Sequence, residues 1–200
     1  MEDVLRIILP LYLLAFFGIA FLWRSYLVWK QTGINPYVVG KTDRPIDFIE
    51  NIYPIPVLVL IAVTVVFALL PGVYQYTTPI IWLENLYVKI AGLALMAFAL
   101  IWTATAQMQM GKSWRIGIDT ENKTDLVEKG LFAVSRNPIF LGMRLALFGF
   151  FLTLPNALTL LAVVLADVLM QIQVRLEEEH LKGLHGTRYA EFTGRVRRWI

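Results

Sequence analysis

A chain of 200 residues, 58% hydrophobic and only 16% charged, with a mean hydropathy of +0.62, is too apolar for a soluble domain and reads as an integral membrane protein. The absence of cysteine excludes disulfides, thiolate metal sites and a cysteine nucleophile, and two histidines, His180 and His185, are too few for a histidine-rich metal centre. A pI near 9.2 raises nucleic acid as a partner, but the basic residues flank apolar runs, where membrane topology accounts for them.

A membrane span needs about 20 apolar residues, and five runs come close. The first extends from about Ile7 to Trp23, with Pro10 tolerable in its first turn. Trp23, Arg24 and Tyr26 after it make an interfacial anchor rather than the small-residue cleavage site of a signal peptide. The second runs from about Tyr53 to Leu70 and is stopped by Pro71-Gly72. The third, about Tyr87 to Met108, is the longest. The fourth, Ile139 to Leu154, is short and contains Arg144, and the fifth, Ala157 to Val174, contains Asp167. Only Pro155-Asn156 separates the last two, which predicts a tight antiparallel helical hairpin.

Charge supports the count of five, because short cytoplasmic loops collect Lys and Arg. Arg24, Lys30, Lys41 and Arg44 follow the first span. Lys112, Arg115, Lys123, Lys129 and Arg136 lie between the third and fourth, and Arg175, Lys182, Arg188, Arg195, Arg197 and Arg198 follow the fifth. With five spans all of these share one face, leaving Arg6 and Lys89 opposite and Arg144 within the membrane. The expectation is an all-α membrane protein of about five transmembrane helices, N-terminus out and C-terminus cytoplasmic, with a C-terminal helical hairpin and a cytoplasmic helical tail. No repeat or linker divides the chain, so residues 1–200 are expected to form one membrane domain: three spans in 1–110, then loop, hairpin and tail in 111–200. The cytoplasmic parts are expected to be a proline-punctuated loop from Asn35 to Pro54, a polar loop from Gly111 to Pro138, and the tail from Arg175 onward.

Charges at membrane depth are costly and point at a partner or a wet cavity. Asp167, Gln171, Arg175 and Glu178 share one helical face, so a polar stripe climbs out of the bilayer toward the triplet Glu177, Glu178, Glu179. Thr103 and Gln107 on the third helix have the spacing to face it. Two readings stand side by side: a solvated helix extension with an Arg144–Asp167 structural pair, or a pocket for a ligand bearing both signs of charge, where Arg136 and Arg175 meet the glutamates.

LVEKGLFAVSRNPIFLGMRL, Leu126 to Leu145, followed about thirty residues later by RLEEEHLKGLHGTRYAEFTGRVRR, Arg175 to Arg198, resembles the membrane methyltransferases of the isoprenylcysteine carboxyl methyltransferase and phospholipid methyltransferase group. The motif resemblance rests on Leu126, Val127 and Gly130, then Arg136, Asn137, Pro138 and Phe140, then Glu177, Glu178 and Leu181, then Tyr189 and the basic stretch Arg195 to Arg198. It covers about the last 90 residues, with the first 110 matching only as apolar spans. Asn137 and Phe140 replace the family's histidine and tyrosine. Asparagine still donates a hydrogen bond but carries no proton at neutral pH, and phenylalanine keeps the ring without the hydroxyl.

The resemblance implies S-adenosylmethionine bound at the cytoplasmic ends of the last two spans. Glu177 and Glu178 would accept from the ribose diol and ammonium, Arg136 and Asn137 would donate to the carboxylate, and Tyr189 and His180 would form a wall. It also implies methyl transfer to a lipophilic or lipid acceptor from the bilayer, with Glu178 as a candidate base and Arg175 or Arg195 holding an acceptor carboxylate. Two alternatives remain: an NADPH-dependent sterol- or steroid-type reductase, which the glutamate triplet disfavours by repelling phosphates, and a non-catalytic membrane scaffold.

Overall fold

The apolar runs fold into helices bounded by the proline and glycine punctuation. The computed structural model describes residues 1–38, 45–118, 122 and 124–200, so Lys41, Arg44 and Lys123 lie outside the described residues. The first helix is longer than its apolar run: α1 (Glu2–Phe17) continues through a π-helical turn at Gly18–Trp23 into α2 (Arg24–Thr32). Gly33 then closes it with φ at 70°, a left-handed end that suits glycine.

Next come α3 (Pro45–Ile52) and α4 (Pro54–Leu69). The second half of the expected loop from Asn35 to Pro54 is therefore helical. Its sequence puts Ile49 and Ile52 on one helical face but is too brief to register as an apolar run, and it buries Asp47 with Ile49 while Phe48 and Asn51 are exposed. After the short α5 (Pro71–Tyr74) come α6 (Leu86–Met110), α7 (Pro138–Thr153), α8 (Ala157–His185) and α9 (Thr187–Arg195).

Among the described residues four helical stretches, Glu2–Thr32, Asp47–Leu69, Leu86–Ser113 and Ala157–His185, are long and apolar enough to cross a membrane. The 16 residues of α7 extend only about 24 Å, short of a ~30 Å hydrocarbon core. About five membrane helices is thus the observed architecture, and among the described residues there is no β-strand. Only 22% to 39% of each span's apolar window is buried, and exposed Leu14, Leu22, Leu58, Ile101 and Leu161 are a surface that lipid covers rather than water. The chain is a multi-pass membrane protein.

One core unites the helices: Leu5 and Leu9 of α1, Leu60, Val63 and Phe67 of α4, Met96 of α6, Phe150 of α7 and Ala162 of α8. The most extensive contact is between α6 and α7, whose backbones approach where Gly92 meets Gly149. Several polar groups inside this packing are paired with backbone, as a dry interior favours. Tyr12 donates to the Met96 carbonyl (3.0 Å), and Trp102 Nε1 to that of Pro138 (2.9 Å). The expectation that Thr103 and Gln107 face the stripe on α8 is not met. Thr103 packs against Gly142 of α7, and Gln107 Nε2 donates to the Ala20 carbonyl (2.8 Å) inside the π-helical turn.

The predicted hairpin is present, and Asn156 makes it. Its Oδ1 accepts from the backbone N–H of Leu158 and Thr159 (both 3.0 Å), while its own N–H donates to Thr159 Oγ1 (3.2 Å), a reciprocal N-terminal cap for α8. Because the side chain is fully buried, no water replaces it. Asn156→Ala is expected to lower stability by about 1–2 kcal/mol, read as an earlier midpoint in detergent-mediated unfolding, with Asn156→Asp retaining most of the cap.

Candidate functional site

Three segments meet at the start of α7. Pro138 occupies its first turn, where a missing N–H costs nothing, and holds Asn137 out of the helix. The extension of α8 runs alongside, and the chain after α9 doubles back as a strap across both. Arg136 N–H donates to the Arg197 carbonyl (3.0 Å), Ser135 Oγ to that of Arg198 (3.2 Å), and Asn137 Nδ2 also to that of Arg198 (3.4 Å).

Glu178 is the hub. Its carboxylate accepts from Asn137 Nδ2 (3.0 Å), from Arg198 Nε (3.1 Å) and Nη2 (2.8 Å), and from Arg136 Nη2 (3.4 Å). The Glu178 and Arg136 side chains are only 11% and 13% exposed, so this cluster is worth more than an open surface pair. The hydrogen bond to Glu178 raises the already high pKa of Arg198, and the strap therefore stays cationic. Burial, with the Glu178 charge adding to it, pushes the Tyr189 hydroxyl up to about 12, so Tyr189 is a neutral wall group at physiological pH.

Beside the hub lies a cavity of about 530 Å³ lined by Arg136, Arg175, Glu178, Glu179, Lys182 and Tyr189, with Thr193 and Arg198 at its tail side. The crowding of Arg136, Arg175 and glutamates at one mouth is as expected. The triplet itself is divided. Glu178 and Glu179 face the cavity, whereas Glu177 accepts from Gln173 Nε2 (2.9 Å) and lies within electrostatic reach of Tyr53 at the end of α3.

Other motif residues take supporting positions. Leu126, Leu181 and Tyr189 pack with Phe192, seating α9 on the loop, and Val127 is half-buried. Gly130, at φ 64°, lies against the Gln109 side chain, whose Oε1 accepts from Leu131 N–H (2.7 Å). It fits the loop to the end of α6 and does not line the cavity. Phe140 and His180 are half-buried and also lie outside the lining. Asn137 gives its amide to Glu178 rather than holding it toward the cavity. Arg195 pairs with Glu128 (2.8 Å), as does Arg188 (2.8 Å), which fastens α9 to the loop and takes Arg195 away from the cavity. Arg175 lines the cavity and donates to Gln171 one turn earlier.

Sequence reasoning missed Arg198 as the main partner of Glu178, and Lys182 as a cavity group. The basic stretch after α9 was visible, but nothing in its pattern shows that the chain reverses there.

The geometry defines a multi-pass helical membrane protein with a pocket of mixed charge at the end of its last helical hairpin. The chain belongs to the phospholipid methyltransferase family, whose model matches residues 87–188, just over half of it. The matched region starts earlier than the motif resemblance, at Tyr87, and so takes in α6 as well as the hairpin. No curated protein matches the chain at a significant level. Family membership makes this a membrane methyltransferase of the kind that acts on lipid substrates.

Proposed function

We propose that the chain transfers a methyl group from S-adenosylmethionine to a lipophilic, membrane-associated acceptor through a carboxylate, amine or thiol nucleophile. The observation that carries this reading is a single cavity in which Glu178 and Glu179 stand among Arg136, Arg175, Lys182 and Arg198. That set suits a cofactor bearing an ammonium, a carboxylate and a ribose diol. Glu179 and Lys182 have no partner among the described residues, and Arg136 Nε is buried without one, so an acceptor and two donors are unspent. Glu178 becomes available to the ammonium or diol when Arg198 yields its place.

When bound, the cofactor supplies a methyl group activated by a sulfonium centre. The chain's own contribution is alignment and exclusion of water. Arg136 and Lys182 hold the carboxylate, Glu178 and Glu179 the ammonium beside it or the ribose diol, and the neutral Tyr189 ring closes one wall. Arg175 is better placed than Arg195 to orient an acceptor carboxylate, since Arg195 is held by Glu128. An amine or thiol acceptor must lose a proton, and a cavity glutamate not engaged by the cofactor is the candidate base. In this reading the whole chain works as one unit, residues 1–110 scaffolding the site built by 111–200. In this reading its tail faces the cytoplasm, an orientation that the basic flanks favour.

Calorimetry of S-adenosylhomocysteine with the detergent-purified protein, run beside NADPH, tests the cofactor. Micromolar binding of the homocysteine compound alone is expected. Its failure to bind a folded preparation, or binding of NADPH instead, overturns the reading. Transfer of labelled methyl from S-adenosylmethionine into a lipid extract then identifies the acceptor class.

A further inference from the structure

The strap after α9 is anchored at one end only. Val196 packs against the cluster of Leu126, Tyr189 and Phe192 and gives its N–H to the Phe192 carbonyl (3.0 Å), which fixes the chain up to that residue. From Arg197 to Ile200 no helix holds it. Two side chains tie this segment down: Arg198 on Glu178, and Trp199 on the Arg144 guanidinium of α7, 4.4 Å from its ring centre.

With the strap in place the Glu178 carboxylate is full. A carboxylate offers about four lone-pair positions. Asn137 Nδ2 and Arg198 Nε approach its Oε1, while Arg198 Nη2 and Arg136 Nη2 approach its Oε2. The cavity around it then holds four cationic side chains, Arg136, Arg175, Lys182 and Arg198, against two carboxylates, Glu178 and Glu179. A cofactor that brings an ammonium and a sulfonium meets an excess of positive charge there until one cation withdraws. Arg198 is the cation able to do so. The Arg136 side chain is 13% exposed and sits where the loop enters α7, whereas that of Arg198 is 32% exposed on a segment with no helix around it.

We propose that Arg198 is an internal stand-in for the cofactor's ammonium, and that the strap from Arg197 to Ile200 is a built-in competitor that cofactor binding displaces. The inference rests on the cofactor reading above and adds a regulation of that same site. Apparent affinity is the intrinsic affinity reduced by the fraction of molecules whose strap is released, so a weaker strap gives tighter binding. Glu178→Ala and Arg198→Gln break the same ion pair and have opposite effects: the first removes the acceptor, the second removes its competitor. Trp199 lies outside the cavity lining, so its loss reaches the site through the strap.

Calorimetry of S-adenosylhomocysteine with the detergent-purified parent, Arg198→Gln and Trp199→Ala tests the competition. The control ligand is 5′-methylthioadenosine, which lacks the ammonium and carboxylate. Arg198→Gln is expected to bind the homocysteine compound about tenfold more tightly than the parent, the ratio that one charge-assisted hydrogen bond supplies. Trp199→Ala, which leaves every cavity residue in place, is expected to gain about two- to fivefold, the worth of an exposed cation–π contact, and decides the matter if Arg198→Gln does not fold. Neither variant should bind 5′-methylthioadenosine more tightly than the parent does. Weaker or unchanged binding of the homocysteine compound by the folded variants, or an equal gain for 5′-methylthioadenosine, overturns the competitor while leaving the cofactor reading standing. Absence of binding by the parent and both variants, all folded, removes the cofactor reading and the competitor with it.

Discussion

Glu178→Ala is expected to be among the most damaging single substitutions at the tail end of the molecule. It removes one carboxylate and leaves two guanidinium groups, Arg136 and Arg198, facing each other around an empty place. Breaking a buried pair from one side costs about 3–5 kcal/mol. With Arg198 32% exposed and able to turn toward water, the lower end of that range applies. The strap should loosen first, so backbone amides around Arg197 and Arg198 are expected to exchange hydrogen faster while those of α6 keep their protection. Binding of S-adenosylhomocysteine should fall about 100-fold or more, the loss of two charge-assisted hydrogen bonds. Glu179→Ala separates the two effects: it removes a cavity carboxylate with no partner among the described residues, so binding should weaken while strap exchange stays normal. Normal binding by folded Glu178→Ala would remove Glu178 from the site.

Much of this molecule is legible in its sequence because membranes enforce simple rules. Apolar runs of the right length, proline and glycine punctuation and the Pro155-Asn156 turn all act through local chemistry, and the structure has a helix at each run and the turn at Pro155-Asn156, although the first and last helices extend beyond their apolar runs. The Arg144–Asp167 pair was legible for the same reason, since two opposite charges on facing helices of one hairpin have few other partners. What escaped depends on chain reversal or on short amphipathic structure. The strap of residues 196–200 has no helical or alternating period, so its return to Glu178 has no signature. Pro45–Ile52 is too short and too charged to stand out beside its neighbours. Three adjacent glutamates read as one acidic feature, but consecutive positions on a helix point about 100° apart, and the structure accordingly turns Glu177 toward Gln173 and Glu178 toward Arg198.

Gly92→Ala and Gly149→Ala are expected to be the most destabilising of the small substitutions, because the α6–α7 contact that supports the site has no room for a methyl group. A Cβ on Gly92 would lie 2.6 Å from the Gly149 carbonyl oxygen and 2.8 Å from the Thr153 nitrogen. One on Gly149 would lie 2.8 Å from the Gly92 carbonyl oxygen and 3.0 Å from the Met96 nitrogen. These are backbone atoms, so no rotamer change relieves the clash, and the two helices must separate. Separation loses the dispersion contacts that hold helices together in lipid, where no hydrophobic drive compensates. Overpacking of this kind costs about 1–3 kcal/mol or more. The double variant should cost less than the sum of the singles, since one displacement accommodates both methyl groups. Gly183→Ala is the internal control: it is exposed on the α8 extension with nothing within 4 Å, and exchange for a better helix former should stabilise by about 0.5–1 kcal/mol. Detergent-mediated unfolding of the four variants measures all of this at once. If Gly92→Ala and Gly149→Ala unfold where the parent does while Gly183→Ala shifts upward, the helices do not approach as closely as described. If both fall and their double falls by less than the sum, the shared backbone contact is the cause, and S-adenosylhomocysteine affinity should fall with it because Trp102 on α6 no longer anchors the Pro138 carbonyl at the start of α7.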